Sequence, residues 1–437
     1  MRDLSELAPI QRALNGNLRS YSLPNGLQVA IEEVAINTIS ANINVHHSTA
    51  DEGPDEAGFA HTVEHVIYFG SFRRKSAEFC DRVRQTIGWY LPFTEPDKAS
   101  FTVGTMPSNT GTMLRYLASS IFEQGFPAPR LGKELGRIHR EMSDDGNSYN
   151  RAIGDFEEAL FKGHPYALDI FGNKSTLTRA TPEALMHFHS RGYKADNMTL
   201  VVAGPVPKNI DDLVNRNFEG RPSSDVLKTP TPSLKPLEKK VEMYKPAPDL
   251  LDHENPQDSS AQIFLGLIAI PSNSRERIAL SLLWHILYNY STSRVFQRIS
   301  SDEGLAYELG DAVDPFDMRG YLQMQVPVKS AAQERAIDLI FDEFQRLQEF
   351  PPRRREMTTA YRNLVYKTAY QLERGKHHVR MIERYLQTGL TPGQSLEILR
   401  SLAPEEVQDA ARKFLPSSRK DGKYVLMVRD PFLDKAA

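Results

Sequence analysis

Two histidines four residues apart, with a glutamate directly before the second, make up the stretch His61-Thr62-Val63-Glu64-His65. These are the residues of the chain best suited to chemistry. On a helix, side chains four apart lie on one face, so His61 and His65 can offer two imidazoles to a single ion while Glu64 stands near the same arc. Neutral imidazole suits a borderline-soft cation such as zinc, and a catalytic zinc site needs three protein ligands and one open position for water. Two histidines are therefore not enough. Glu134 and Glu141 stand seven residues apart in a stretch of helical character, nearly two turns, so their carboxylates share a face. Glu141 is expected to be the third ligand and Glu134 to sit just outside it, steering a ligand or a water. Glu64 then has the position of a general base, able to take a proton from water as that water attacks a carbonyl. The expected site is thus Zn2+ held by His61, His65 and Glu141, with Glu64 and Glu134 as the catalytic carboxylates. A helix with satisfied surface histidines would show the same five letters, and the paired glutamates weigh against that simpler reading. The adjacent pairs His46-His47 and His377-His378 are expected to be structural, because neighbouring side chains diverge. Trp89, Trp284 and the aromatics around Tyr68 read as core or pocket lining.

The elements that must position these groups recur twice. In the first half an alternating strand, 39–45, leads into a helix at 61–68; a strand at 99–105 precedes a helix at 110–122. In the second half a strand at 262–270 leads into a helix at 276–290, and a strand at 320–326 precedes a helix at 331–347. Each half closes with a helix opened by Thr181-Pro182-Glu183 or Ala403-Pro404-Glu405, followed by a strand at 198–203 or 424–428. Strands that alternate in polarity but are separated by helices imply a mostly antiparallel sheet with helices on one face. The fold class is therefore α+β, with two domains of common design. A stretch rich in proline and serine reads as the linker, which gives domains at 1–220 and 239–437 around a linker at 221–238.

Composition bounds the partners. The 437 residues are 40% hydrophobic and 25% charged with a net charge of -3, which offers no attraction to phosphate backbones, so nucleic acid is not expected as a partner. The clusters Arg73-Arg74-Lys75 and Arg353-Arg354-Arg355 are short and read as solvated surface. Cys80 is the single cysteine, the N-terminus has no cationic start before an apolar run, and no stretch reaches about 18 apolar residues. These features set the expectation of a cytoplasmic protein with no membrane association.

The run from Gly58 to Ser71, GFAHTVEHVIYFGS, closely resembles the zinc helix of the pitrilysin, insulysin and mitochondrial processing peptidase family, whose inverted motif defines the inverzincins. The resemblance continues through His164-Pro165-Tyr166, Gly172, Thr181-Pro182-Glu183, Ser293-Arg294-Val295-Phe296 and Gly304-Leu305-Ala306-Tyr307. It implies His61, His65 and Glu141 as ligands, Glu64 as base and Glu134 as the accessory glutamate, and the 76-residue step from His65 to Glu141 fits its spacing. It also implies two homologous α+β domains per chain, and two chains of this short length closing around a chamber that admits unfolded peptides.

Two departures from the family pattern matter. Relatives carry an arginine seven residues before the tyrosine that matches Tyr307, and the pair holds substrate and its developing negative charge; here that position is Ser300. Arg298, two residues away on a helix, points to a different face. Because the resemblance implies that the zinc half of one chain faces the second half of another, the expected assembly is a heterodimer with a paralogous subunit that lacks the zinc motif and keeps the arginine and tyrosine. The other departure lies in the expected substrate-binding edge strand, Leu91, Pro92 and Phe93, where relatives carry an Asn-Ala pair at the positions of Leu91 and Pro92. Pro92 has no N–H to donate to an added peptide strand, which points to a dedicated substrate such as a leader or precursor peptide. The expected function is a zinc endopeptidase subunit acting on unstructured peptides. The competing readings are a non-catalytic core subunit of a larger assembly and a binding protein with structural or regulatory zinc.

Overall fold

The structure is a computed structural model that describes residues 17–68, 83, 85–144, 148–224, 232–251, 259–288, 290–306, 309, 312–313, 320–420 and 422–433. The expectations for Tyr307, Cys80, the cluster at 73–75, the first sixteen residues and part of the linker lie outside them. In chain order the strands and helices that position the site begin with β1 (Asn17–Ser22), β2 (Gln28–Glu33), β3 (Ile39–Val45), α1 (Phe59–Tyr68), β4 (Trp89–Thr94) and β5 (Ala99–Thr105). They continue with α2 (Thr110–Phe122), α3 (Ala128–Asp144), α4 (Ser148–Leu160), α5 (Pro182–Gly192) and β6 (Met198–Gly204). The later part contributes β7 (Val241–Pro246), β8 (Ser260–Ile268), α6 (Ser274–Leu287), β9 (Ala312–Val313), β10 (Tyr321–Lys329), α7 (Gln333–Glu349), α8 (Gly375–Thr388), α9 (Pro404–Phe414) and β11 (Val425–Asp430).

The strands form two sheets of one design. The first runs β1-β2-β6-β3-β5-β4 and the second β7-β11-β8-β10-β9. In each, one parallel pair, β2 with β6 or β11 with β7, sits among antiparallel neighbours. The protein is thus α+β, with the path β2-β6-β3-β5-β4 repeated as β7-β11-β8-β10-β9 and β1 added at the edge of the first sheet. The helix starts have local causes: the Thr181 side chain accepts the Ala184 N–H ahead of Pro182, and the Asn273 side chain accepts the Glu276 N–H.

Two compact units result, and neither is a contiguous half of the chain. The first comprises Met1–Asp144, Leu168–Thr231 and Ala369–Gly393; the second comprises Asp145–Ala167, Pro232–Thr368 and Gln394–Ala437. In the first unit Ile43 and Val45 of the sheet pack with Val63, Val66 and Ile67 of α1 and Leu114 and Leu117 of α2. On the opposite face of the same sheet, Val379 and Ile382 of α8 pack on Ala30, Val201 and Ala203. In the second unit Phe156 and Leu160 of α4 lie on a sheet with Phe264, Val425 and Met427, and a Cβ on Gly266 would stand 2.6 Å from the Phe156 ring.

Helices therefore cover both faces of the first sheet, which corrects the expectation of a single covered face. The physical reason is visible in β3, every residue of which is buried. Its apolar positions face α1 and α2. Its polar positions are enclosed instead of solvated: Asn42 donates to Asn44 at 2.9 Å and to Glu383 of α8 at 2.5 Å. Among the described residues no helix is long and apolar enough to cross a membrane.

Candidate metal and catalytic site

Helix α1 carries the motif, and its inner stripe of Phe59, Ala60, Val63, Val66 and Ile67 is buried. Burying the four larger of these side chains, Phe59, Val63, Val66 and Ile67, contributes roughly 1.5–3 kcal/mol each, far more than the intrinsic stability of a ten-residue helix. The first free N–H groups of the helix are met from a preceding loop. Glu52 accepts the Gly58 N–H at 3.0 Å and the Ala60 N–H at 2.7 Å, setting a carboxylate against the positive end of the helix. Burial pushes the Glu52 carboxyl up to about 7, with those bonds opposing and the neighbouring Glu56 charge adding to the rise. Glu52→Ala is expected to lower the melting temperature by about 2–6 °C, since loss of such a cap costs about 1–2 kcal/mol. Calorimetry of the metal-free chain checks this, and no shift would remove Glu52 as the anchor of α1.

Gly58 and Gly172 let two loops touch in front of the helix. Both have positive φ, +90 and +68, and a Cβ at Gly172 would stand 2.2 Å from the Ala57 carbonyl oxygen. This close approach sets Phe171 edge-on against the His61 ring, with centroids 4.9 Å apart.

His61 and His65 face one another edge to face at 4.5 Å. Helix α3 brings Glu141 to both: its Oε2 lies 3.2 Å from His65 Nε2 and 3.9 Å from His61 Nε2. One ligand atom from each of the three falls within 4.8 Å of the others, a grouping found nowhere else among the described residues. Ligand atoms around a tetrahedral zinc sit about 3.3 Å apart, so small side-chain shifts bring this set to that geometry. The protonation states agree. Burial pushes His61 down to about 3 and lowers His65, which favours the neutral rings that a cation needs as ligands. The donor set therefore fits zinc.

Glu64 Oε2 lies 3.9 Å from His61 Nε2 and accepts a hydrogen bond from Thr94 Oγ1 at 3.0 Å. Burial raises its carboxyl to about 7, with the Glu141 charge adding and the Thr94 bond opposing. A buried, aimed carboxylate of raised basicity is suited to shuttling protons.

Glu134 is fully buried on α3, where Arg137 donates to both of its oxygens at 2.9 and 3.0 Å and Arg130 Nε lies 3.1 Å from Oε1. It is 3.7 Å from His65 Nδ1, a buried atom that makes no hydrogen bond among the described residues. This is the place of a carboxylate that orients a liganding imidazole through its far nitrogen.

Leu91, Pro92 and Phe93 lie on β4, the edge strand of the first sheet, whose last residue is Thr94. Trp284 is core as expected, but Trp89 is 37% exposed at the head of this edge strand. In the second unit Ser300 lies within a π-helical turn, Gln297–Asp302, and Arg298 on that turn stands 3.5 Å from both Glu343 and Asp302. Sequence reasoning missed Thr94 as a partner of Glu64, Glu52 as the cap and Phe171 as the ring beside His61. It also missed the Arg130-Glu134-Arg137 clamp, which the three- and four-residue helical spacing does signal.

Residues 28–174 match the family model described as insulinase (peptidase family M16), and residues 179–364 match the one described as the peptidase M16 inactive domain. An uncharacterized zinc protease of Mycobacterium leprae is 26% identical, with 69% of this chain and 67% of that protein covered. One of Rickettsia bellii is 21% identical over 92% of this chain and 96% of its own. Among solved structures, a protease from Helicobacter pylori superposes with a TM-score of 0.79 at 18% identity, covering 95% of this chain and all of the other. A peptidase M16 inactive domain from Pseudomonas fluorescens also gives 0.79 at 18% identity, covering 96% of this chain and 100% of its own.

Proposed function

Because this chain belongs to the M16 (insulinase) peptidase family, we propose that it is the metal-bearing subunit of a zinc endopeptidase that hydrolyses unstructured peptides. The observation that carries the reading is the convergence of His61, His65 and Glu141 within 4.8 Å, beside a buried glutamate. A zinc ion held by these three would supply the positive charge that acidifies a water and polarises the scissile carbonyl. Glu64 takes the proton of the attacking water and delivers it to the leaving nitrogen. Thr94 holds the Glu64 carboxylate in line, and Glu134, fixed by its two arginines, holds the His65 ring. An extended peptide is added as a further strand along β4, the edge strand of the first sheet among the described residues.

The second unit supports a dependence on another subunit. The position of the substrate-holding arginine is Ser300, and Arg298 is engaged with Glu343 and Asp302 of its own unit. A paralogous chain with the arginine and tyrosine but no zinc motif completes the site. The natural substrate of such a pair is a leader or precursor peptide. Hydrolysis by the isolated chain is expected to be about 10²–10³-fold below that of the reconstituted pair, the usual cost of losing one group that stabilises developing charge. Fluorogenic peptide assays before and after co-purification with such a paralogue test this. Full activity of the chain alone would sink the partner requirement, and no activity in either state would sink the peptidase reading.

A further inference from the structure

Residues 95–98 form the turn between β4 and β5, and the turn is fastened at several points. The Glu95 N–H donates to the Lys98 carbonyl at 2.8 Å, and the Ala50 N–H donates to the Pro96 carbonyl at 2.7 Å. The Ser48 hydroxyl donates to the Glu95 carbonyl at 2.5 Å. A further fastening is made by charge. Lys98 Nζ lies 3.3 Å from Glu95 Oε2 and 3.5 Å from Glu383 Oε2 of α8, and the side chains of Lys98, Glu95 and Glu383 are only 18%, 17% and 12% exposed. Burial works against the ammonium charge, but Glu383, Glu95 and Asp97 outweigh it and hold Lys98 above the ordinary lysine range.

Glu383 belongs to a polar layer between α8 and the sheet. Its other oxygen accepts from Asn42 at 2.5 Å. Asn42 in turn accepts from Thr102 Oγ1 at 2.9 Å and donates to Asn44 at 2.9 Å, and Asn44 accepts from Ser100 Oγ at 2.6 Å. These bonds tie β3 to β5 and β3 to α8. Apolar packing in place of buried ion pairs is often neutral for stability, so holding the helix on the sheet does not require this layer. What a satisfied hydrogen-bonded layer adds is a single relative placement of helix, strand and turn.

That placement matters on the other face of the sheet. Thr94, the last residue of β4, stands opposite Ala99, the residue after Lys98. Its hydroxyl donates to Glu64 at 3.0 Å. The turn that Lys98 ties down toward α8 is therefore the turn that aims Thr94 toward α1. We propose that Lys98 is a positioning residue for the general base: its bridge from the turn to Glu383 fixes where the Thr94 hydroxyl meets the Glu64 carboxylate. This inference rests on the peptidase reading and adds to it a control exerted from the face of the sheet that lies away from the metal ligands.

The test follows hydrolysis of a fluorogenic peptide by the full-length, zinc-loaded chain with its paralogous subunit. Lys98→Met alone would strand the buried Glu383 charge, so it is combined with Glu383→Gln, which removes that charge and still accepts from Asn42. This double variant is expected to lower kcat about tenfold to a hundredfold, the cost of misplacing a group by about 1 Å, with KM changed by less than about twofold and zinc content unchanged. Lys98→Arg keeps a cation that reaches both carboxylates, and it is expected to hold kcat within about threefold of the wild type. Thr94→Val lacks the hydroxyl and is expected to cost about as much as the double variant, yet to add less than about threefold on top of it, because groups that act through one contact are not additive. Wild-type kcat in the double variant overturns the proposal. So does full multiplication of its loss with that of Thr94→Val. The same cycle is read from melting temperatures of the metal-free chain. If the wild-type pair cleaves nothing, the peptidase reading falls; a combined loss of stability smaller than the sum of the separate losses then keeps Lys98 as the group that places Thr94, and additive losses remove it.

Discussion

Glu64→Gln is expected to lower kcat/KM for peptide hydrolysis by roughly 10²–10⁴-fold, the range for a positioned general base, with zinc content unchanged. Gln keeps the shape and still accepts the Thr94 hydroxyl, so the strand and helix it joins stay in register. What it loses is the proton acceptor. Metal analysis alongside a fluorogenic assay separates this from ligand loss, and undiminished hydrolysis would remove Glu64 from the mechanism. The same variant carries a stability signature. An ordinary glutamate titrates near 4.5, whereas burial lifts Glu64 to about 7, so between those pH values the folded metal-free chain holds a proton that the unfolded chain releases. The wild type therefore loses stability from this group as pH rises through that window, and glutamine does not. The metal-free variant is expected to melt a few degrees above the wild type near pH 8 and alongside it near pH 4.5. A constant difference across that range would show that Glu64 is not strained by its burial.

His65→Ala removes the imidazole that both Glu141 and Glu134 address, and it is expected to abolish stoichiometric zinc binding and reduce hydrolysis to background. The decisive readout is thermal. Zinc at about a hundred times its dissociation constant stabilises a folded chain by roughly 2.7 kcal/mol. The wild type should therefore show a clear zinc-dependent rise in melting temperature, and the variant none. Glu134→Gln provides the graded counterpart, since disturbing a group that orients a ligand weakens metal binding about 10–100-fold. If the alanine variant still binds one zinc tightly, the ligand set of His61, His65 and Glu141 is wrong.

Much of this was readable where its cause is local. The spacing of His61, Glu64 and His65 on one helix, and of Glu134 and Glu141 on another, depends on 3.6-residue periodicity alone, and the two helices bring those groups together. Strands β3 and β5 and helix α2 end where the alternation and helical spacing put them. The failures have a common origin in contacts between segments distant along the chain. The polar positions of β3 read as a solvent face because nothing near them in sequence reveals that Glu383, 341 residues from Asn42, closes over them. Glu52, Thr94 and Phe171 reach the site from loops and strands whose approach depends on tertiary packing, and only the paired glycines Gly58 and Gly172 hint at it. The π-helical winding around Ser300 has no periodic signature at all.

The path by which each unit acquires its last helix has a consequence for synthesis. The metal-ligand helix, the edge strand and β6 of the first sheet have all left the ribosome long before α8 exists, and until then Ala30, Val201, Ala203 and the β3 asparagines face water or a chaperone. At about 5–20 residues per second that interval is roughly 10–40 s. The first unit is therefore born with its sheet half dressed, and its maturation waits until the long stretch between β6 and α8 has been made.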